Sequence, residues 1–172
     1  MGREIERKFL VDGTGWRTGQ GVEYCQGYLS TVKERTVRVR RAGEKAYLTV
    51  KGVNVGSVRS EYEYEIPVRD ACEMLELCRR PLVEKRRYRV EYAGLTWDID
   101  EFAGVNEGLV LAEVELTSDK VAVQRPPWVG KEVTDDPRYF NANLVKYPYR
   151  HWSSDTASTG LVNQSEERTS ER

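Results

Sequence analysis

The sequence predicts a mainly β domain built from eight antiparallel strands. Apolar and polar residues alternate with period 2 in eight segments, at 3–11, 22–30, 36–41, 45–52, 58–68, 83–92, 95–103 and 109–117. Turn signals separate them, among them Asp12-Gly13, Ala42-Gly43 and Ala93-Gly94. Helical patterning is confined to short stretches, which makes helices accessories to the sheet.

The first strand places Glu4, Glu6 and Lys8 on one face and Ile5, Phe9 and Val11 on the other. Two carboxylates about 6.6 Å apart on one face, followed by an ammonium, need an explanation. The same alternation recurs further on. Arg38 and Arg40 oppose Val37 and Val39, and Lys51 opposes Leu48 and Val50. Arg59, Glu61, Glu63 and Glu65 align opposite Tyr62, Tyr64 and Ile66. Lys85, Arg87 and Arg89 oppose Tyr88 and Val90, Asp98 and Asp100 oppose Trp97 and Ile99, and Glu113 and Glu115 oppose Ala112, Val114 and Leu116. Between the strands, Asp70 with Glu73 reads as a capping arrangement ahead of Met74, Leu75 and Cys78. Ser118 reads as the cap of a short turn ending at Pro126-Pro127, and a third helix starts near Asn141. From Ser153 the chain is Ser, Thr, Glu and Arg with almost no apolar content, the composition of a disordered tail.

Composition narrows the function. At 172 residues, with 39% hydrophobic and 32% charged content, the chain suits one globular domain over 1–152. It has neither an 18-residue apolar run nor a signal-peptide core, so the expectation is a cytoplasmic protein without a membrane partner. With 27 Lys plus Arg against 28 Asp plus Glu, the net charge of −1 gives no general attraction to nucleic acid. Cys25, Cys72 and Cys78 form no Cys-x-x-Cys pair and read as reduced fillers. The single histidine, His151, sits at the domain exit, which excludes His-based zinc sites and nucleophile–His pairs. Neither a P-loop nor a dinucleotide-binding glycine turn occurs.

An antiparallel sheet wets one face, so charge on that face alone needs no function. The blocking by sign argues otherwise, since neighbouring like charges repel and a merely solvated face mixes them. If the sheet closes into an eight-stranded barrel with these faces inward, its carboxylates require a cation and its guanidinium and ammonium groups an anion. A divalent metal with a polyphosphate satisfies both. Glu4 and Glu6 then read as metal ligands and Lys8 as a phosphate anchor.

The opening Glu4-Ile-Glu6-Arg-Lys8 resembles the signature of the CYTH superfamily, the triphosphate tunnel metalloenzymes. Further matches are TVRVR at 36–40, LTVKG at 48–52, RSEYEYEI at 59–66, VEKRRY at 83–88, WDIDEFAG at 97–104 and LAEVEL at 111–116, with PPWVGKEVT at 126–134 and DPRYFNANL at 136–144. The resemblance implies an eight-stranded antiparallel β-barrel with a charged tunnel. It implies that Glu4, Glu6, Glu61, Glu63, Asp100, Glu113 and Glu115 form or support a site for Mg²⁺ or Mn²⁺, some of them through water. It also implies that Lys8, Arg38, Arg40, Lys51, Arg59, Lys85 and Arg87 grip the triphosphate. Lys8 and Lys85 are the catalytic candidates, Lys85 either activating water or binding phosphate. Glu65 and Asp98 are read as rim or solvated charges, and Arg89 and Glu91 as outside the tunnel. Tyr28, Trp128, Tyr139 and Asn141 are given packing or rim roles. The reaction implied is metal-dependent hydrolysis of tripolyphosphate to pyrophosphate and phosphate. The alternatives are a thiamine triphosphatase, an adenylyl cyclase of this fold, or a non-catalytic module binding triphosphate or polyphosphate. Oligomeric state, a homodimer included, stays open.

Overall fold

The computed structural model describes residues 5–32, 34–55, 58–118 and 120–152, apart from the side chains of residues 54, 55, 58 and 59. Eight strands follow the alternating segments: β1 (Ile5–Val11), β2 (Val22–Ser30), β3 (Arg35–Ala42), β4 (Lys45–Val55), β5 (Val58–Ile66), β6 (Val83–Tyr92), β7 (Leu95–Phe102) and β8 (Val110–Leu116). A ninth, β9 (Val129–Glu132), was not foreseen, because the four residues VGKE are too few to display an alternation. Glu4 and the expected tail from Ser153 lie outside the described residues.

The strands form one sheet in the order β5-β4-β3-β2-β6-β7-β8-β1-β9. Every ladder is antiparallel. Among the described residues no ladder joins β5 to β1 or β9, so the closed eight-stranded barrel is corrected to a curled nine-stranded sheet. Twist accumulated along the strand order supplies the curl, and register shifts at Phe9/Val11, Tyr28/Ser30 and Lys51/Asn54 bend individual strands. Strand β9 covers the edge that β1 would otherwise present to β5.

The apolar side of this sheet is the main core. Phe9, Trp97, Ile99, Ala112 and Val114 occupy it, with Trp16 and Trp128 packed over them from the connecting chain. The ring of Trp97 meets Phe9 at 5.6 Å and Trp128 at 5.7 Å between centroids. Full burial of Phe9, Ile99 or Val114 stabilises the fold by about 1.5–3 kcal/mol each. Strand parity then leaves the opposite face of β1, β7 and β8 for charge.

Helix α1 (Val68–Leu77) covers β2 to β4 through Ala71 and Leu75, which pack with Val39, Ala46 and Cys78. It starts two residues before the expected cap. Pro67 stands at its N-terminal boundary, no side chain caps it, and Asp70 lies inside the first turn, where a carboxylate favours the helix dipole. Gly27 on β2 lets the chain after α1 approach, since a Cβ there would lie 2.6 Å from that of Cys78. Cys25, Cys72 and Cys78 are free, and Cys72 is exposed instead of filling core. Ser118 accepts from the Lys120 amide at 3.2 Å and closes a turn.

The charged face changes character along its length. On β1, β6, β7 and β8 the residues sharing parity with Lys8, Lys85, Asp100 and Glu113 become Leu10, Val83, Phe102 and Leu111. Leu144 and Val145 of helix α2 (Asn141–Lys146) and Tyr139 pack onto this apolar end, together with Tyr28. One end of the concave face is thereby filled. His151 is exposed and stacks on Tyr147 at 6.2 Å. Among the described residues no helix is long and apolar enough to cross a membrane.

Candidate active site

The curl brings β5, at one end of the strand order, to the same cavity as β1, beside the other end. The cavity measures about 650 Å³ and is lined by Glu6 and Lys8 of β1, Arg38 and Arg40 of β3, Lys51 of β4, Glu61 and Glu63 of β5, Lys85 and Arg87 of β6 and Glu113 of β8. Period-2 alternation puts each of these on one face, and the curl makes the faces converge.

One wall is a buried ion network. Asp100, fully buried, accepts from Arg87 Nε and Nη2 at 2.6 Å each and also from Lys85 Nζ. Arg87 donates further to Asp98 at 3.0 Å and to Glu113 at 3.0 Å. Lys8 Nζ lies 2.6 Å from Glu113 and 3.3 Å from Glu6. The other wall is more open. Glu63 receives Arg40 at 3.0 Å, Arg38 at 3.2 Å and the Thr49 hydroxyl at 2.7 Å, while Thr49 Oγ1 accepts from Arg38 at 3.1 Å. Lys51 pairs with Glu61 at 2.7 Å. Arg38 and Arg40 each leave a buried Nε without a partner among the described residues.

Environment separates the two lysines. Burial opposes the charge on Lys8, but Glu113 and Glu6 outweigh it and hold the ammonium above the ordinary lysine range. For Lys85 burial dominates and, with the repulsion of Arg87, pushes the ammonium below that range against the pull of Asp100. Burial likewise opposes charge on Glu113 and Glu63. It is overcome by Lys8, Lys85 and Arg87 in the first case, and by Thr49, Arg40 and Arg38 in the second, so both carboxyls fall below the usual range. Arg40 is lowered by burial and then by Arg38.

The remaining sequence-derived residues are placed as follows. Asp100 lies behind the lining, under Lys85 and Arg87. Glu115 is exposed and does not line the cavity, although its strand register sets it opposite Glu6. Glu65 is exposed beside Lys45 at 3.5 Å. Asp98 joins Arg87 to the exposed Arg89. Tyr28 and Asn141 line the cavity, whereas Trp128 and Tyr139 are core residues. Arg59 lies on β5, but its side chain is outside the described residues, as is Glu4. Sequence reasoning missed Thr49, the buried Gln26, and Asn143 and Lys146 of α2. Same-face parity with Lys51 was a signal for Thr49. Nothing in the pattern marked the α2 residues, which reach the cavity through packing at the apolar end.

Among the described residues no three carboxylates converge as a ready metal cluster, because each lining acid holds a cation. Their chemistry nonetheless fits a hard cation, being oxygen donors only.

Comparison with known proteins agrees with this geometry. The CYTH domain model matches residues 2–146. An inorganic triphosphatase of Acetivibrio thermocellus is 53% identical over 154 residues, covering 88% of this chain and 99% of the relative. One from Nitrosomonas europaea is 38% identical over 146 residues, covering 83% and 96%. The crystal structure of the inorganic triphosphatase NE1496 superposes with a TM-score of 0.65 at 36% identity, over 84% of this chain and 95% of that one.

Proposed function

The chain belongs to the CYTH domain family, and from that premise we propose that it hydrolyses inorganic triphosphate to pyrophosphate and phosphate. The observation that carries the proposal is the convergence of Lys8, Arg38, Arg40, Lys51, Lys85 and Arg87 on one cavity that also holds four carboxylates. A simple anion receptor has no use for those acids, whereas phosphoryl transfer uses both signs.

The cations do the binding. Arg38 and Arg40 offer forked donors to phosphate oxygens, Lys51 adds a point charge, and Arg59 extends the set along β5. Lys8, held charged by Glu113 and Glu6, neutralises the transferred phosphoryl group. Lys85 is the group whose environment favours losing a proton, so it takes one from the attacking water. Water oxygen bonds to the terminal phosphorus as the bridging P–O bond breaks and pyrophosphate leaves. Asp100 orients Lys85 and Arg87 from behind.

Glu6, Glu61, Glu63 and Glu113, together with Glu4 and Glu115, are the donors for Mg²⁺ or Mn²⁺. Held by these carboxylates, such an ion would supply Lewis-acid stabilisation of phosphoryl charge and would lower the pKa of a water. The substrate panel of tripolyphosphate, ATP, thiamine triphosphate and long-chain polyphosphate tests the reading. Release of phosphate and pyrophosphate from tripolyphosphate with Mg²⁺ or Mn²⁺, abolished by chelator, is expected. Binding without turnover would instead identify a triphosphate-binding module.

A further inference from the structure

Tyr24 on β2 does not line the cavity, yet its ring meets three of the cations that do. The ring centroid lies 5.2 Å from the guanidinium carbon of Arg87, 5.8 Å from that of Arg40 and 5.9 Å from Lys85 Nζ. Register explains the meeting. Tyr24 pairs with Lys85 across β2 and β6, and Arg40 pairs with Gln26, the next residue of β2 on the same face. The carboxylate that holds Arg40 is on β5, and those that hold Arg87 are on β7 and β8. The two groups of cations come together at this ring.

We propose that Tyr24 is a positioning residue for the triphosphatase reaction, its π face holding Arg40, Arg87 and Lys85 convergent on the cavity. The chemistry favours an aromatic ring over an acid at this place. A carboxylate among these cations would spend the charge that substrate must meet, whereas the negative face of a ring attracts cations and leaves their net charge intact. Tyr24 also lines a second cleft of about 940 Å³, together with Lys85, Phe102, Arg41 and Glu84.

This inference rests on the triphosphatase reading, and its test separates the two. In the full chain with tripolyphosphate and Mg²⁺, Tyr24→Leu is expected to raise KM about 10-fold, with kcat within about threefold of the parent, as for lost binding common to ground and transition states. Tyr24→Phe, which keeps the ring and loses the hydroxyl, is expected to recover most of that loss. Equal loss in both variants would assign the effect to the hydroxyl and overturn the proposal, and so would an unchanged KM in Tyr24→Leu. If Tyr24→Leu does not fold, phenylalanine against pentafluorophenylalanine at position 24 keeps the shape and reverses the ring quadrupole. The fluorinated form is then expected to bind worse, and equal KM values would overturn the proposal. Should the parent release no phosphate, the triphosphatase reading fails, and the same comparison is made on the thermal shift induced by tripolyphosphate. There a smaller shift in Tyr24→Leu than in Tyr24→Phe supports the role, and equal or absent shifts reject it.

Discussion

The two walls of the cavity use similar side chains to different ends. On the β6–β7–β8–β1 wall, the Lys85 and Asp100 side chains are 2% and 0% exposed, and Arg87 is shared among Asp98, Asp100 and Glu113. On the β3–β4–β5 wall, Glu63 is 33% exposed, and Arg38 and Arg40 reach it at 3.0–3.2 Å, each through one guanidinium nitrogen. Breaking a buried pair strands a charge, but a half-exposed pair exchanges partners at little cost. The first wall is therefore a frame that fixes charge in place. The second is a set of partners that substrate displaces.

The sharpest way to break this contrast is Asp100→Asn. Removing the charge that holds Lys85 and Arg87 should destabilise the fold by about 3–5 kcal/mol, read from denaturant midpoints, and abolish turnover. Glu63→Gln should cost less than about 1 kcal/mol on the same measurement while lowering turnover. Equal stability losses would erase the distinction between the walls.

Lys85→Arg sharpens the assignment within the frame. Arginine keeps the charge and does not deprotonate, so turnover should fall at least about 100-fold while the thermal shift induced by tripolyphosphate persists. In the parent, kcat/KM should rise with pH through a lysine pKa below the ordinary value of 10.5, because the neutral amine is the active form. A flat profile with an active Lys85→Arg variant would reduce Lys85 to a phosphate ligand. On the open wall, Lys51→Ala should raise KM about 3- to 10-fold with little change in stability, as measured by steady-state kinetics.

The smallest effect belongs outside the cavity. Glu132 of β9 accepts from Arg7 at 2.8 Å and from Thr134 at 2.8 Å, and these hydrogen bonds hold its carboxyl at about 2, below the ordinary 4.5. The unfolded chain takes up this proton more readily. The contribution is thus present above about pH 4.5 and is lost as pH falls toward 2. Partial exposure limits it to about 1 kcal/mol or less. Comparing Glu132→Gln with the parent across this interval should show the difference shrinking with acidification.

Eight strands and most cavity residues were legible in the sequence because period-2 alternation fixes facing whatever the neighbouring strands do. Glu61, Glu63, Arg38 and Arg40 needed only that rule. Partnerships were not legible, since they depend on register and curl. Asp100 on β7 and Glu113 on β8 share a face and both accept from Arg87, yet one is hidden behind the lining and the other belongs to it. Glu115 obeys the same parity as Glu113 but runs out toward solvent. Strand β9 was too short to show a period, and α2 reached the cavity through Leu144 and Val145, which join a core cluster with Phe102 and Leu111 far away in the chain.

The central claim is that the charged faces meet inside a substrate cavity, and Arg38→Ala and Arg40→Ala test it most directly. Thermal midpoints with and without tripolyphosphate, measured beside turnover, are the decisive comparison. The account predicts a ligand-free midpoint close to the parent or above it, a diminished ligand-induced shift, and turnover reduced roughly 10- to 1,000-fold. An undiminished shift with undiminished turnover in both variants would place these arginines on an outer face and contradict the account.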